Sequence, residues 1–246
     1  MTNNHFFIVG AQRSGTTYLY SVLDEHSEIL MAKPVKPEPK FFLSEDYNKG
    51  IDFYENKYFS KIESDVKTLG EKSTSYYESE VVPDRIKNYF PEAKIIFILR
   101  DPIQRALSNY YFSVNNGLEK RTISEVFLEK IPPETYPDHI STDPFNYLGR
   151  GEYMKFIKKY LDCFGEKNVK ILIFERLIGN INQVQGLYEY LEVDRNFEPT
   201  LLGQKTNTGK DKEVVSEKVL KKLKNYFQPY NKTLKEYLGD NLTEWL

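Results

Sequence analysis

HFFIVGAQRSGTTYLYSVL, residues 5–23, sets a strand, a glycine-bearing loop and a helix end to end. Phe6–Val9 is an apolar run that stops at Gly10, the pattern of a buried strand. From Thr17 to Asp24 the spacing changes: Leu19, Val22 and Leu23 fall at i, i+3 and i+4, the period of a helix. Between them, Gly10 and Gly15 have the spacing of a phosphate-binding loop. A nucleoside triphosphatase loop carries lysine directly after its second glycine. Here Thr16 holds that position, and the loop's cation comes earlier, at Arg13.

Working outward, strand and helix patterns alternate. EILMA (28–32), VKTLGEKS (66–73), AKIIFILR (93–100) and NVKILIFERL (168–177) read as further strands. Helices are predicted from Pro102, where Ile103, Ala106, Leu107, Tyr110, Tyr111 and Val114 keep helical spacing, and in GEYMKFIKKYLDCFG, closed by Gly165. Two more are predicted in INQVQGLYEYLEV and from Val214 to Phe227. Residues 34–40 hold three prolines and read as extended or irregular, and 117–149 as a polar excursion with one short helix, a candidate lid. This alternation predicts an α/β fold: one domain over residues 1–246, with a P-loop-like central parallel sheet and helices on both faces.

Composition narrows the function. The 246 residues carry a net charge of -2, which gives no global signal for nucleic acid. No apolar run is long enough to cross a membrane, and no signal peptide stands at the N-terminus. The single cysteine, Cys163, has no intramolecular partner, which fits a reducing compartment, so a cytoplasmic location is expected. His5, His26 and His139 are scattered and read as non-catalytic, and no His/Cys cluster has metal-ligand spacing, so no metal is expected.

Three stretches fall at strand C-termini, where ligands of open parallel sheets bind. In GAQRSGTT, loop amides and the helix start make an anion site, Thr16 and Thr17 add hydroxyls, and Arg13 adds charge. In LRDPIQRALSNYY, Arg100 ends a strand and Ser108 lies on the following helix; together they suit a second phosphate. Taken alone, a solvated Arg100 beside a capping Asp101 explains this stretch as well. Positions 101, 105 and 108 share a helical face expected opposite the apolar stripe. The third site combines KPEPKFF with GEKSTSYY. Glu38 sits between two prolines and ahead of Phe41 and Phe42, which suits a general base, and Lys72, Ser73 and Thr74 end a strand near the same edge. Lys72 there could pair with Glu38, bind substrate or neutralise a leaving group.

These motifs, in this order, resemble the sulfotransferases that use 3′-phosphoadenosine 5′-phosphosulfate (PAPS), and EPKFF and EKSTSY resemble the carbohydrate, heparan-sulfate-type branch. The likeness runs on through RGEYMKFIKKYLDCFGEKNVKILIFERL to LKNYFQPYNKTLKEYLG. It implies that Arg13, Ser14, Gly15, Thr16 and Thr17 bind the 5′-phosphosulfate end. It also implies that Arg100 and Ser108 bind the 3′-phosphate, that Glu38 is the base and that Lys72 and Arg13 assist catalysis. A C-terminal loop closes over the nucleotide in that family; its counterparts here are Lys205, Thr208, Gly209 and Lys210. PAPS has no γ-phosphate, which accounts for the missing loop lysine. Most members have lysine where Arg13 stands, and a guanidinium scarcely deprotonates, so a stabilising rather than proton-donating role is expected of it. Adenosine 3′,5′-bisphosphate would be the product, and a small molecule or oligosaccharide the acceptor. The residues leave two rivals: a P-loop nucleotide kinase or ATPase, with Asp101 as magnesium ligand, and a nucleotide-binding module without turnover.

Overall fold

Five apolar runs form the strands of one sheet in the structure, a computed structural model that describes residues 4–59, 61–136, 142–204 and 215–245. In chain order the regular elements are β1 (Asn4–Gly10), α1 (Thr16–Asp24), β2 (Ile29–Met31), α2 (Ile51–Tyr58), β3 (Thr68–Lys72), α3 (Val82–Tyr89), β4 (Lys94–Leu99) and α4 (Pro102–Asn115). They continue with α5 (Tyr153–Phe164), β5 (Val169–Ile173), α6 (Phe174–Leu177), α7 (Ile181–Leu191) and α8 (Glu217–Leu238). The chain divides into two compact units, one drawn from residues 1–99 and 157–206, the other from 100–156 and 207–246.

The first unit is the sheet, in the order β2-β3-β1-β4-β5, with every neighbouring pair parallel. Side chains alternate across it, as the pleat requires. Phe6 and Ile8 of β1 and Ile96 and Ile98 of β4 face α1 and α7, packing with Leu19, Val22, Leu23, Val184, Leu187 and Leu191. Their neighbours point the other way: Phe7 meets Phe42 and Phe90, and Phe97 meets Tyr77 and Tyr160 of α5. The sheet is therefore covered on both faces, and burying each such side chain stabilises the fold by about 1.5–3 kcal/mol. In the register Ile8 lies beside Lys72, so the C-terminal end of β3 flanks the exit of β1.

The second unit packs α4 on α8: Ile103, Ala106, Leu107 and Tyr110 meet Val219, Leu223 and Phe227. Asp101 caps α4, its Oδ1 accepting from the Gln104 amide at 2.8 Å, with Pro102 at the first helical position. The described residues of the expected lid, 117–136 and 142–149, include part of this unit's packing. Ile123, Phe127 and Tyr147 are part of this unit's core, and a single π-helical turn spans Glu125–Glu129.

Three local expectations are corrected. The strand expected through Leu177 ends at Ile173, where pairing with Leu99 stops, and Phe174–Leu177 turn into α6. The last helix starts at Glu217, with Ser216 as cap, and runs past Phe227 to Leu238, straight through Pro229. Pro229 and Asn225 are exposed, so water can satisfy the carbonyl that the proline leaves without a donor. The face of Asp101 and Arg105 is buried rather than opposite the core: the two residues are 2% and 0% exposed. Arg105 and Arg150 both donate to Asn109 Oδ1, at 3.3 and 3.0 Å, and also to the carbonyls of Tyr147 and Asp143 respectively. A guanidinium tolerates such burial because its fork of donors is engaged by fixed acceptors.

Candidate active site

The loop of residues 10–17 leaves β1 at the centre of the sheet, tied to β4 by the Ala11 amide on the Ile98 carbonyl at 2.9 Å. Arg13 and Gly15 have φ of 69° and 91°, which turn the loop back onto α1. Gly15 is obligatory twice over, because a Cβ there would meet the Phe174 ring in addition to the positive φ. No side chain caps α1 and no acid sits in its first turn, so its leading amides face an uncompensated positive end. Ser14 is fully buried and its Oγ has no hydrogen-bond partner. A buried hydroxyl without a partner, beside an uncapped helix start, fits a loop built to receive an oxyanion. Thr16 opens α1, and Thr17 follows, half-buried.

On the neighbouring strand, Lys72 is 3% exposed and its Nζ donates to Glu38 Oε1 at 2.7 Å. The pairing that the two stretches allowed is present. Thr74 completes the cradle: its amide donates to Glu38 Oε2 at 2.9 Å, and its hydroxyl lies 3.0 Å from the same oxygen. Glu38 keeps 15% of its side chain exposed, so the carboxylate is held firmly yet reachable. The segment that carries it is pinned along its length. Tyr58 Oη donates to the Pro39 carbonyl at 3.1 Å, the Lys40 amide to Ser73 Oγ at 2.9 Å and the Phe42 amide to Tyr76 Oη at 3.0 Å. Arg85 Nη1 then takes the Phe42 carbonyl at 2.9 Å. Phe41 and Phe42 are completely buried and wall this edge off from water.

Sequence reasoning missed Thr74 as the clamp on Glu38, and Ser73 and Tyr76 as anchors of its segment. All three lie inside the quoted GEKSTSYY, where a run of hydroxyls after a strand was the available signal.

In the second unit Arg100 and Ser108 are both half-buried, and Tyr153 Oη fixes the Arg100 carbonyl at 2.6 Å. Lys205, Thr208, Gly209 and Lys210 lie outside the described residues. His26 is structural: Nδ1 accepts from the Glu28 amide at 3.1 Å, so Nε2 is the nitrogen that donates to the Asp194 carbonyl at 2.9 Å. His5 is stacked on Phe90 at 3.8 Å. Among the described residues, no three His, Cys, Asp or Glu side chains converge as a metal site, and no helix is long and apolar enough to cross a membrane.

Comparison with known proteins gives the family. Human bifunctional heparan sulfate N-deacetylase/N-sulfotransferase 3 is 43% identical over 110 residues, which are 43% of this chain and 12% of that protein. Human heparan sulfate glucosamine 3-O-sulfotransferase 5 is 26% identical over 260 residues, covering 96% of this chain and 72% of that one. This chain thus spans a small part of the length of the first curated relatives it matches. A sulfotransferase from Alicyclobacillus acidocaldarius has the same fold, with a TM-score of 0.79 at 23% identity, covering 100% of this chain and 99% of that one. Residues 3–243, drawn from both units, match the Sulfotransferase domain family. The kinase and inactive-module alternatives fall away: the chain belongs to the sulfotransferase family, its curated relatives are enzymes of the heparan-sulfate-type carbohydrate branch, and it is an enzyme.

Proposed function

We propose that the protein transfers a sulfuryl group from PAPS to a hydroxyl or amine of a glycan, with Glu38 as the base. The observation that carries this reading is the Glu38–Lys72–Thr74 cradle on β3, beside the uncapped loop that leaves β1. Glu38 takes the acceptor's proton. The acceptor oxygen or nitrogen attacks sulfur, the bond from sulfur to the 5′-phosphate oxygen breaks, and that oxygen leaves with the adenosine 3′,5′-bisphosphate. Arg13, Lys72, Thr16, Thr17 and the loop amides stabilise charge on the leaving oxygen. Ser14 and Gly15 shape the loop that holds the phosphate. Arg100 and Ser108 bind the 3′-phosphate, as the family resemblance implies. Lys205, Thr208, Gly209 and Lys210 close over the nucleotide on the same basis.

A glycan acceptor is supported by the two human relatives described above, both named for heparan sulfate. The test incubates the protein with PAPS and desulfated heparan sulfate, which offers both free amines and hydroxyls. A mass gain of one sulfate per site that is lost in Glu38→Gln supports the reading. An unchanged rate in that variant sends the proton elsewhere.

A further inference from the structure

One buried acid is not used by the mechanism above. Glu71 is fully buried in β3, next to Lys72 in sequence, and sits in a shell of hydroxyls. Tyr54 of α2 donates to its Oε2 at 2.8 Å, and the hydroxyls of Ser73 and Tyr76 face the same carboxyl. Its Oε1 makes no hydrogen bond. A bare, buried oxygen is tolerable on a neutral acid and costly on an anion. Ser73 and Tyr76 are also the residues whose oxygens accept the amides of Lys40 and Phe42, in the segment that follows Glu38.

We propose that Glu71 is a positioning residue for the base: as a neutral acid it holds together the buried hydroxyl cluster on which the backbone of Lys40 and Phe42 hangs. Its ionisation places a second anion near Glu38, on a side chain that is fully buried. The groups facing it are Tyr54 and Tyr58 of α2, Tyr76 and Ser73 beyond β3, Tyr160 of α5 and Glu38, with Lys72 next on its own strand and turned to Glu38. Burial pushes Glu71 up to about 7, the Glu38 charge adds to the rise, and the three hydroxyls oppose it. Reciprocally, any opening that lets water reach Glu71 becomes easier as pH rises from the ordinary carboxylate value of 4.5 toward about 7, by up to about tenfold per pH unit, and levels off above that. Glu71 thereby loosens the base segment progressively between mildly acidic and neutral pH. The catalytic consequence rests on the reading of Glu38 as base, but the structural coupling does not.

Amide hydrogen exchange on the whole chain tests it without an acceptor. The readout is the protection of the Lys40 and Phe42 amides, corrected for intrinsic rate, between pH 5 and 8. The Ala32 amide, bonded to the Gly70 carbonyl at 2.7 Å, is the internal control. Protection at Lys40 and Phe42 is expected to fall by at least about tenfold over this range while Ala32 holds. Glu71→Gln keeps a neutral side chain and should abolish the fall. Tyr54→Phe removes a bond that favours the anion and should move the midpoint to higher pH. Flat wild-type protection, an unchanged fall in Glu71→Gln, or an equal fall at Ala32 overturns the proposal. Failure of the base reading is recorded separately, by the rate of Glu38→Gln. Should Glu71→Gln not fold, the wild-type profile and Tyr54→Phe still decide.

Discussion

The aromatic ring of Phe174 occupies the space that a Cβ on Gly15 would need. The first residue after β5 therefore backs the glycine loop that leaves β1. Gly15→Ala meets that ring and also a φ of 91°, which alone costs roughly 1–2 kcal/mol. The variant should melt lower and bind adenosine 3′,5′-bisphosphate at least tenfold more weakly, by scanning fluorimetry and calorimetry. Adding Phe174→Ala should restore part of the loss, because it removes the clash and leaves the dihedral cost. Wild-type binding in Gly15→Ala would mean that the loop amides do not hold the phosphate.

Glu38→Gln preserves shape and removes the proposed base. With PAPS and desulfated heparan sulfate, kcat should drop by about 10²–10⁴. Bisphosphate affinity should barely change, since the carboxylate is held by Lys72 and Thr74 rather than by the loop. Loss of nucleotide binding would instead make Glu38 part of the nucleotide site.

Lys72→Ala leaves Glu38 without its cation and should cost both stability and turnover. Lys72→Arg, which keeps the charge in a larger fork, should recover stability better than rate. Equal recovery of both would assign Lys72 to the fold alone.

Arg100→Ala should erase most of a preference for adenosine 3′,5′-bisphosphate over AMP, read by competitive titration. A wild-type protein that binds the two equally would remove the 3′-phosphate assignment of Arg100 and Ser108. Transfer should also persist in EDTA, and a requirement for added Mg²⁺ would contradict the proposed chemistry.

Glu71 also sets a slope in stability. Its folded value, about 7, lies above the ordinary carboxylate value of 4.5. Its contribution is therefore intact below about pH 4.5 and is lost as pH rises toward 7. That loss is at most about 3 kcal/mol from the size of the shift. Urea unfolding at pH 5 and pH 8 should show a smaller drop in Glu71→Gln than in the wild type.

Much of this protein is written locally. The strand, loop and helix of residues 5–23, the capped start of α4 and the parallel sheet all follow from side-chain period, glycine placement and capping chemistry. Each of these acts between residues a few positions apart. The family, too, was legible from the order of short motifs. Tertiary structure alone decided the rest. Glu38 and Lys72 are 34 positions apart, and only the anchoring of residues 38–42 on Ser73, Thr74 and Tyr76 beyond β3 brings them to 2.7 Å. Nothing in the helical spacing of Arg105 shows that it is buried, because beside Asn109 on its own helix the acceptor that makes burial affordable is the carbonyl of Tyr147, 42 positions away. Glu71 looks like any polar strand residue until α2 lays Tyr54 against it. β5 stops at Ile173 because its partner strand does. Short-range rules set backbone conformation, but the environment of a charged side chain depends on which distant segments pack around it, and that is settled only when the chain folds.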